Sequence, residues 1–389
     1  MTLSYVYRLY PDKEGIDYLN ALIFTRNQAY NATLNLLEKS REMYKRGYSA
    51  TEIAKTIDND IKLVMRKRDD IVYKTALLQD ARKECFNSFF GLVKQKKKFN
   101  LRFRDSSSFE GSFIVRKTAS FKDGYISIFG KKIPVLLHRP LPKSYRVMGY
   151  RVKRELDRFF LIVNLTDDKK ESIDLKNCKR EDFTGMDINS GNFVFSNGKR
   201  LNFPKSVYEI LERKRKKHQK ILSRRVKGSK NRKKAQKALY KASRKIKNRR
   251  KDDLHKKALD VLRHFVETKF LVVEDLNISS ILRNKETESK KVSIGLHRNF
   301  SHQAHGLFLN VLSYKAHAFD RFVIWVDSRD TSRTCSRCGY VKRDLSLDDR
   351  LFRCPECFLE IDRDFNASLN IKRRGSSLCS HPETGSRRF

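Results

Sequence analysis

Residues 331–339 read TSRTCSRCG and residues 354–357 read CPEC, and these two stretches carry four of the seven cysteines of the chain. Each CxxC pair places two thiolates on one side of a tight turn, and the spacer, residues 339–353, is long enough for a hairpin that joins the pairs. Thiolates prefer zinc among the abundant divalent metals. The spacing therefore predicts a zinc ribbon over residues 331–359 with one zinc ion. Its predicted ligands are Cys335, Cys338, Cys354 and Cys357.

The other cysteines, Cys85, Cys178 and Cys379, are scattered along the chain. Seven cysteines fit no even disulfide framework, and in a reducing compartment this pattern indicates one metal site plus structural thiols. A redox pair and unligated core cysteines are the alternatives for the paired cysteines. A site closed by four protein ligands has no open coordination position, so we expect its zinc to be structural.

The sequence before the ribbon alternates between strand and helix patterns. Residues 183–188 form a predicted strand, and a hairpin with an Asn197-Gly198 turn follows it. The later predicted elements are a long basic helix or helical hairpin (about 205–250), a helix (252–268), a strand (270–273), a further helix and a strand (322–326). A strand hairpin followed by helix–strand units is the order of an RNase H-like α/β domain.

Three carboxylates lie at points where such a domain needs them. Asp187 is within the first strand, Glu274 ends the strand at 270–273, and Asp364 begins a helix after the ribbon. Phosphodiester hydrolysis needs hard oxygen ligands that hold two magnesium ions about 3.5–4 Å apart. A single carboxylate at a strand end or helix start is also typical of a cap or a solvated group. The hypothesis therefore depends on the order and spacing of all three.

The N-terminal half has a different pattern. Short β-prone runs recur between residues 113 and 163, and short strands at regular spacing predict a small β-barrel. The stretch before them has apolar residues at helical spacing. We therefore expect a barrel formed by residues 1–10 and 99–180, with residues 11–98 as a helical insertion.

The chain is strongly basic, with 86 Lys and Arg residues against 45 Asp and Glu residues and a formal net charge of +41. Such a chain repels itself unless polyanions neutralise it, so nucleic acid is the expected partner. The chain contains no run of 18 or more apolar residues, so no membrane span is predicted. No signal peptide is visible either. We expect an intracellular protein, cytoplasmic and associated with the nucleoid, without a membrane partner.

More than half of residues 213–251 are Lys or Arg, and none is acidic. A solvated helical face, which is the alternative, usually mixes signs to gain i,i+4 pairs. The run therefore favours a phosphate partner, although lysine-rich tracts also act as nuclear-import signals. The predicted nucleic-acid contacts are Lys214, Lys217, Arg224, Arg225, Arg232, Lys233, Lys234 and Arg244. The interleaved apolar residues are expected to pack on the domain core: Ile221, Leu222, Val226, Leu239 and Ile246.

Several motifs resemble those of TnpB, a protein of insertion sequences that is similar to the ancestors of type V CRISPR effectors. The motifs are Gly185-Met186-Asp187, Val273-Glu274-Asp275-Leu276, Thr331 to Gly339, and Asp362 to Ile371. The opening Tyr7 to Pro11 also resembles the N-terminal strand of that family. The resemblance spans most of the chain and is most specific from about Asp182 to Ile371.

The resemblance implies an α/β multidomain architecture. Its parts are a wedge-type β-barrel with a helical recognition insertion, a RuvC-like nuclease domain (181–330 and 360–372) and the inserted zinc ribbon; residues 373–389 are expected to be a disordered tail. It implies a magnesium-dependent DNA endonuclease that pairs a guide RNA with double-stranded target DNA beside a short motif read by the protein. It assigns Asp187, Glu274 and Asp364 as the catalytic magnesium ligands, with Asp364 preferred over its neighbour Asp362.

Three residues depart from the family pattern. Asn189 and Phe358 stand where glycine is common, and Ser368 replaces a frequent alanine. None of these departures removes a predicted ligand.

Three other functions compete with an active nuclease. A non-cutting RNA-guided binder would be expected to lack the acids, whereas a miniature CRISPR effector of the same fold would keep them. A DNA-binding zinc protein without a guide would carry no RNA after gentle purification.

Overall fold

The computed structural model describes residues 2–39, 43, 46–72, 74–94, 101–105, 108–115, 120–142, 144–166, 178–189, 192–202, 206–275, 305–346 and 349–379. The chain divides into two compact units. We call Met1–Lys170 the N-terminal unit and Glu171–Phe389 the C-terminal unit. In the described parts of both units, no helix combines the length and apolar character needed to cross a membrane.

A seven-stranded antiparallel sheet forms the base of the N-terminal unit. Its strands are β1 (Thr2–Leu9), β2 (Glu110–Val115), β3 (Ser120–Lys122), β4 (Tyr125–Ile128), β5 (Lys131–Leu136), β6 (Arg146–Glu155) and β7 (Arg158–Thr166), in the spatial order β2-β6-β7-β1-β5-β4-β3. The first strand in the chain is central and pairs with β7 from Thr2↔Thr166 to Leu9↔Phe159. Alternate residues of β7 are buried, so one face of the sheet covers the core.

The described strands form an open sheet with β2 and β3 as its edges, so they make a half-barrel where the sequence predicted a small β-barrel. The reason lies in helix α1 (Lys13–Lys39), which packs on the core face. Leu19, Leu22 and Ile23 of α1 are buried in one cluster with the apolar side chains of the sheet. The helix thus covers apolar surface that a closed barrel would have to cover by itself.

Two further helices, α2 (Ala50–Arg66) and α3 (Thr75–Lys94), pack with α1 around a second apolar cluster. A buried ion pair joins α1 to α3, because Arg26 is only 1% exposed and its Nε lies 2.8 Å from Asp80. Arg26 also contacts Glu84, which binds Arg104 in turn. A guanidinium this deeply buried needs such partners to offset its lost hydration.

The C-terminal unit contains a five-stranded mixed sheet. Its strands are β8 (Phe183–Ile188), β9 (Asn192–Phe195), β10 (Arg200–Asn202), β11 (Phe270–Glu274) and β12 (Phe322–Val326), in the spatial order β10-β9-β8-β11-β12. The strands β8, β9 and β10 pair antiparallel, whereas β11 runs parallel to both β8 and β12. Every residue of β8 is buried, as expected for a strand covered on both faces.

The basic segment forms a helical hairpin of α4 (Ser206–Ser223) and α5 (Lys230–Asp260), and α6 (His305–His317) precedes β12. The predicted helix boundary near residue 251 is wrong, because α5 continues through it. One i,i+4 ion pair, Arg249–Asp253 at 3.2 Å, bridges the expected break, and a second, Lys256–Asp252 at 2.9 Å, follows directly after it. Such pairs stabilise a helix on its exposed face.

The apolar residues of the basic segment are buried only in part. Ile246 is 5% exposed, and Leu222 and Leu239 are half-buried. The prediction that all five pack on the core is wrong for Ile221 and Val226, which are 36% and 76% exposed. Both lie at the tip of the hairpin, where α4 ends and the connection to α5 begins.

The last described helix, α7 (Arg363–Ser376), is followed by a 3-10 turn, Ser377–Cys379. The expected disordered tail is therefore wrong for residues 373–379, because Leu378 is buried with Phe183 and Phe270 against the sheet. Residues 380–389 of that expected tail lie outside the described residues.

The scattered cysteines differ from one another. Cys85 is a buried free thiol, as predicted. Cys178 is disulfide-bonded, so its prediction as a structural thiol is wrong. The side chain of Cys379 lies outside the described residues. Whether a cysteine forms a disulfide depends on the tertiary fold, which cysteine counting does not give.

Candidate active site and cysteine cluster

The carboxyl ends of two adjacent parallel strands carry the first two predicted acids. Met186 of β8 lies opposite Val273 of β11. The next residue of each strand is an acid, so Asp187 and Glu274 lie side by side. Val272 packs on Ile371 of α7, and Glu274, two residues further on, faces the same helix.

A very close approach of α7 to β8 places the third acid. A Cβ atom on Gly185 would lie 2.1 Å from the Ser368 carbonyl oxygen and 2.6 Å from the Lys372 nitrogen, so only glycine fits. Asp187 follows Gly185 by two residues and therefore also faces α7. Asp364 lies one helical turn before Ser368. The packing that requires Gly185 thus brings Asp364 towards Asp187.

The three acids share one electrostatic environment. Asp187 is 8% exposed, and its burial raises its pKa well above the ordinary carboxyl value. The charges of Glu274 and Asp364 raise the pKa of Asp187 further. The side-chain amide of Asn189, which donates to Asp187 Oδ2 over 2.7 Å, and the more distant Arg363 act in the opposite direction.

Burial also raises the pKa of the other two acids. For Glu274 it is opposed by a hydrogen bond from the Thr331 hydroxyl and by the charge of Arg374. For Asp364 burial is reinforced by the charge of Asp362, and several arginines oppose both effects. The site therefore holds three carboxyl groups whose ionisation is costly until a cation joins them.

Asp362 has a separate role next to this site. Its Oδ1 accepts the Phe365 backbone N–H at 2.9 Å and so caps α7. The same carboxyl pairs with Arg200 at 2.7 Å. An N-cap of this type stabilises the helix start on which Asp364 stands.

The donor set fits magnesium in its chemistry. Among the described residues, the four cysteines form a group whose ligand atoms all lie within 4.8 Å of one another, and the three acids do not form so tight a group. Carboxylate oxygens are the ligands that magnesium prefers. The ligands of two ions about 3.5–4 Å apart can lie farther from one another than the ligands of a single ion.

The predicted cysteine site comes together in space. A short hairpin, β13 (Leu351–Arg353) and β14 (Glu360–Asp362), brings the second CxxC pair back to the first. The Sγ atoms of Cys335 and Cys357 are 3.5 Å apart, as are those of Cys338 and Cys354. Tetrahedral thiolates about 2.3 Å from zinc would be about 3.8 Å apart, so the cluster fits one zinc ion.

Local hydrogen bonds favour a thiolate in this cluster. Burial raises the pKa of Cys354, but the backbone N–H groups of Cys357 and Glu356 outweigh it and lower that pKa to about 7. The Tyr340 backbone lowers the pKa of Cys338, but burial and hydrogen bonds with the neighbouring cysteines raise it to about 12. In such a coupled group, ionisation of one thiol makes ionisation of the next less favourable. A metal ion removes this competition by binding all four thiolates.

The two CxxC knuckles share one backbone conformation. They differ in the residue that follows the second cysteine, and this difference costs conformational free energy. Gly339 N–H donates to the Cys335 carbonyl at 3.0 Å, and Phe358 N–H donates to the Cys354 carbonyl at 3.1 Å. Both residues have left-handed φ, +84° for Gly339 and +57° for Phe358. Glycine adopts this conformation freely, whereas phenylalanine pays about 1–2 kcal/mol.

Phe358→Gly is expected to stabilise the ribbon by about 1 kcal/mol. The ring is 85% exposed, so its removal forfeits little apolar burial. Thermal unfolding of the zinc-loaded protein measures the change, with Gly339→Ala, expected to destabilise, as the matched control. A lower melting temperature for Phe358→Gly would contradict the inference that the left-handed backbone of Phe358 is strained.

The predicted nucleic-acid residues lie on the helical hairpin. Those that are exposed are Lys214, Lys217, Arg224, Arg225, Lys233 and Lys234, whereas Arg244 is half-buried over the Tyr240 ring. Arg232 is half-buried, and its role as a nucleic-acid contact stays a prediction. Its guanidinium donates to the carbonyls of Leu222 (3.2 Å) and Arg225 (2.8 Å), which closes the turn between α4 and α5.

Replacing Lys214, Lys217, Lys233 and Lys234 by glutamine is expected to make the salt dependence of nucleic-acid binding shallower. Each lost phosphate contact removes about 0.7–0.9 from the slope of log affinity against log salt. Filter binding across a salt series measures this slope. The matched control is Lys199→Gln with Lys256→Gln, two exposed lysines paired with Glu267 and Asp252. An unchanged slope in the quadruple variant would mean that these lysines face solvent only.

Four polar residues near the acids were not among the predicted site residues. Asn189 and Thr331 donate to the carboxylates of Asp187 and Glu274. Asn366 and Asn370 of α7 bind the backbone on both sides of Cys335, at Thr331, Thr334 and Ser336. Thr331, Asn366 and Asn370 lie within the motifs that resemble TnpB, close in sequence to predicted ligands. That closeness is the signal by which they could have been found from the sequence.

Family models match three parts of the chain. "Probable transposase" matches residues 166–285, "Cas12f1-like, TNB domain" matches residues 305–371, and a helix-turn-helix model of the same transposase group matches residues 1–47. The resemblance to TnpB is confirmed.

Curated relatives agree over shorter stretches. TnpB-like proteins of Acanthamoeba polyphaga mimivirus are 29% identical over 123 residues, 32% of this chain and 22% of each relative. Cas12f1 of Sulfoacidibacillus thermotolerans, a CRISPR-associated endodeoxyribonuclease, is 36% identical over 58 residues, 15% of this chain and 14% of that protein. The matches thus span at most about a quarter of these TnpB-like and Cas12f1 proteins.

A solved structure of Cas12f1 shares the fold of this chain. Cas12f1 in complex with its single guide RNA and target DNA has a TM-score of 0.57 at 15% identity, over 93% of this chain and 83% of that one. The chain therefore has the mixed α/β architecture of Cas12f1, with a four-cysteine cluster inside the segment that matches the Cas12f1-like TNB domain.

Proposed function

We propose that the chain is an RNA-guided DNA endonuclease with one magnesium-dependent acidic site. Three carboxyl groups at the ends of β8 and β11 and the start of α7 carry this proposal: Asp187 is buried, Glu274 and Asp364 are half-buried, and the charges of these two raise the pKa of Asp187. The strand order of the C-terminal sheet, a hairpin followed by two parallel strands, supports a RuvC-like, RNase H-like nuclease domain. On this proposal residues 181–330 and 360–372 form the nuclease and residues 331–359 the zinc ribbon.

Asp187, Glu274 and Asp364 would hold the magnesium ions. The bound metal would supply Lewis-acid activation of the attacking water and stabilisation of the leaving oxygen. The residues of the chain fix the ligands: Asn189 orients Asp187, Thr331 orients Glu274, and the cap at Asp362 holds the helix of Asp364. Cys335, Cys338, Cys354 and Cys357 would hold one structural zinc ion.

The guide RNA and the double-stranded target DNA are the proposed partners. In such a system base pairing reads the target sequence, and the protein holds the backbones and reads a short adjacent motif. The exposed lysines and arginines of α4 and α5 supply positive charge suited to phosphate. The open sheet of the N-terminal unit lies in the proposed wedge domain (residues 1–10 and 99–180), and α1 to α3 lie in the proposed recognition insertion (11–98).

The decisive experiment starts from RNA that co-purifies with the protein. That RNA is sequenced, re-targeted to a plasmid with a randomised flank, and incubated with the protein in magnesium or in a chelator. We expect cleavage of both strands, only with magnesium and only beside one short flanking motif.

Other outcomes favour other functions. Guided binding without cleavage would support a non-cutting binder, and absence of RNA would support a guide-free DNA-binding protein. The Cas12f1 matches favour a miniature CRISPR effector as the second candidate, and a guide from a repeat array rather than from a transposon end would identify it.

A further inference from the structure

One threonine links the cysteine cluster to an acid of the proposed active site. Thr331 lies four residues before Cys335, and its hydroxyl donates to Glu274 Oε1. Thr331 is 4% exposed and Glu274 is half-buried, so this contact is partly shielded from bulk water. A hydrogen bond from a buried hydroxyl to a carboxylate is directional and fixes which way its oxygens point.

The position of Thr331 is itself fixed from α7. Asn370 Nδ2 donates to the Thr331 carbonyl at 2.9 Å and to the Thr334 carbonyl at 2.6 Å. Asn366 Nδ2 also donates to the Thr334 carbonyl, and its Oδ1 accepts the Ser336 N–H at 2.9 Å. Both asparagines are almost fully buried, at 0% and 1% exposure.

These contacts form a continuous chain of hydrogen bonds. The helix that carries Asp364 uses its next turn, Asn366 and Asn370, to hold the backbone that leads into the first cysteine knuckle. That backbone presents Thr331 to Glu274. The cysteine turn, the second acid and the third acid are therefore positioned against one another within the C-terminal unit.

We propose that Thr331 is a positioning residue that makes the metal affinity of the acid site depend on the cysteine ribbon. The inference rests on the proposed function, because it assumes that Glu274 binds a divalent cation. The hydroxyl orients the Glu274 carboxylate, and the turn held by Asn366 and Asn370 keeps the hydroxyl in place. Partners that orient a ligand in this way typically contribute 10–100-fold to metal affinity.

Thr331→Val tests this proposal, because valine keeps the shape and removes the hydroxyl. Tb³⁺ luminescence, excited through the single tryptophan, reports metal binding, since Trp325 lies opposite Val273, the residue before Glu274. We expect about 10–100-fold weaker Tb³⁺ binding, a similar rise in the magnesium concentration for half-maximal guided cleavage, and zinc content unchanged. Thr331→Ser, which restores the hydroxyl, is expected to bind as wild type.

Thr334→Val is the matched control. Thr334 is a buried threonine of the same turn, 8% exposed, whose hydroxyl donates to the Asp330 carbonyl at 2.7 Å and not to an acid. Its loss is expected to leave Tb³⁺ affinity unchanged. Equal effects of the two valine variants, or no effect of Thr331→Val, would overturn the proposal.

A double-variant comparison separates positioning from folding. In a Glu274→Gln background, Thr331→Val is expected to cause little further loss of Tb³⁺ affinity, since it acts through Glu274. An additive loss, or loss of zinc in Thr331→Val itself, would make the hydroxyl a structural group and contradict the proposal. Absence of guided cleavage in the wild type would instead defeat the proposed function, and the Tb³⁺ comparison would still decide the role of Thr331.

Discussion

Asp187→Asn, Glu274→Gln and Asp364→Asn chains are expected to bind guide-matched DNA and to leave it uncut. Each change keeps the size of the side chain and removes one charged oxygen ligand, so cleavage is expected to fall about 100-fold or more. Binding is expected to persist, because it comes from base pairing and phosphate contacts. Plasmid cleavage resolved on gels, with filter binding of the same variants, measures both.

The control for the third acid is Asp362→Ser. Serine keeps the N-cap that Asp362 provides, so this variant is expected to fold and to cut. Full cleavage by Asp364→Asn, or loss of cleavage in Asp362→Ser, would mean that the third ligand is misassigned.

Asp187→Asn is also expected to change the stability of the protein, and measuring this change shows whether the variant is folded. The folded-state pKa of Asp187 is raised, chiefly by burial, so its contribution to stability is present below the ordinary carboxyl pKa and is lost as pH rises towards the raised value. At neutral pH without divalent cations, asparagine is therefore expected to raise the melting temperature, by about 2–4 °C per kcal/mol recovered. A lower melting temperature would argue that Asp187 is not under this electrostatic strain.

Cys354→Ser is expected to lose zinc and to unfold the ribbon. Structural zinc sites have apparent binding free energies of about 10–16 kcal/mol, and that free energy is folding free energy. We expect the variant to contain well under one zinc per chain and wild type about one. Guided cleavage is expected to fall with the zinc content, because the turn before Cys335 presents Thr331 to Glu274.

Cys85→Ala is the matched control for zinc loss. Cys85 is a buried free cysteine in α3, outside the cluster. Elemental analysis is expected to find about one zinc in this variant. A wild-type chain without zinc, or a Cys354→Ser chain that keeps it, would contradict the assignment.

Local patterns in the sequence predicted the parts of the site that lie close together in the chain. The CxxC spacing predicted the cysteine cluster, because each knuckle needs only a tight turn and the spacer needs only a hairpin. The strand–helix order also placed Asp187 within one predicted strand and Glu274 at the end of another, and although the two are far apart in the chain, parallel register brings them together.

Contacts that depend on tertiary packing were not predicted. The Thr331–Glu274 bond exists only because α7 holds the turn before Cys335, and nothing in the local sequence specifies that approach. The half-barrel form of the predicted β-barrel was not foreseen for the same reason, since it depends on α1 covering the open face. The tail prediction failed because residues 373–379 have few apolar side chains, yet Leu378 finds a partner surface on the sheet.

The place of α7 in the chain has a consequence for biosynthesis. The helix follows every strand of the C-terminal sheet, and its Ile371 covers Phe183, Phe270 and Val272. While a ribosome is still making this helix, that face of the sheet is bare, and bare apolar surface invites chaperones and aggregation. The same delay keeps Asp364 away from Asp187, so on the proposed function a nascent chain cannot cut DNA until α7 docks.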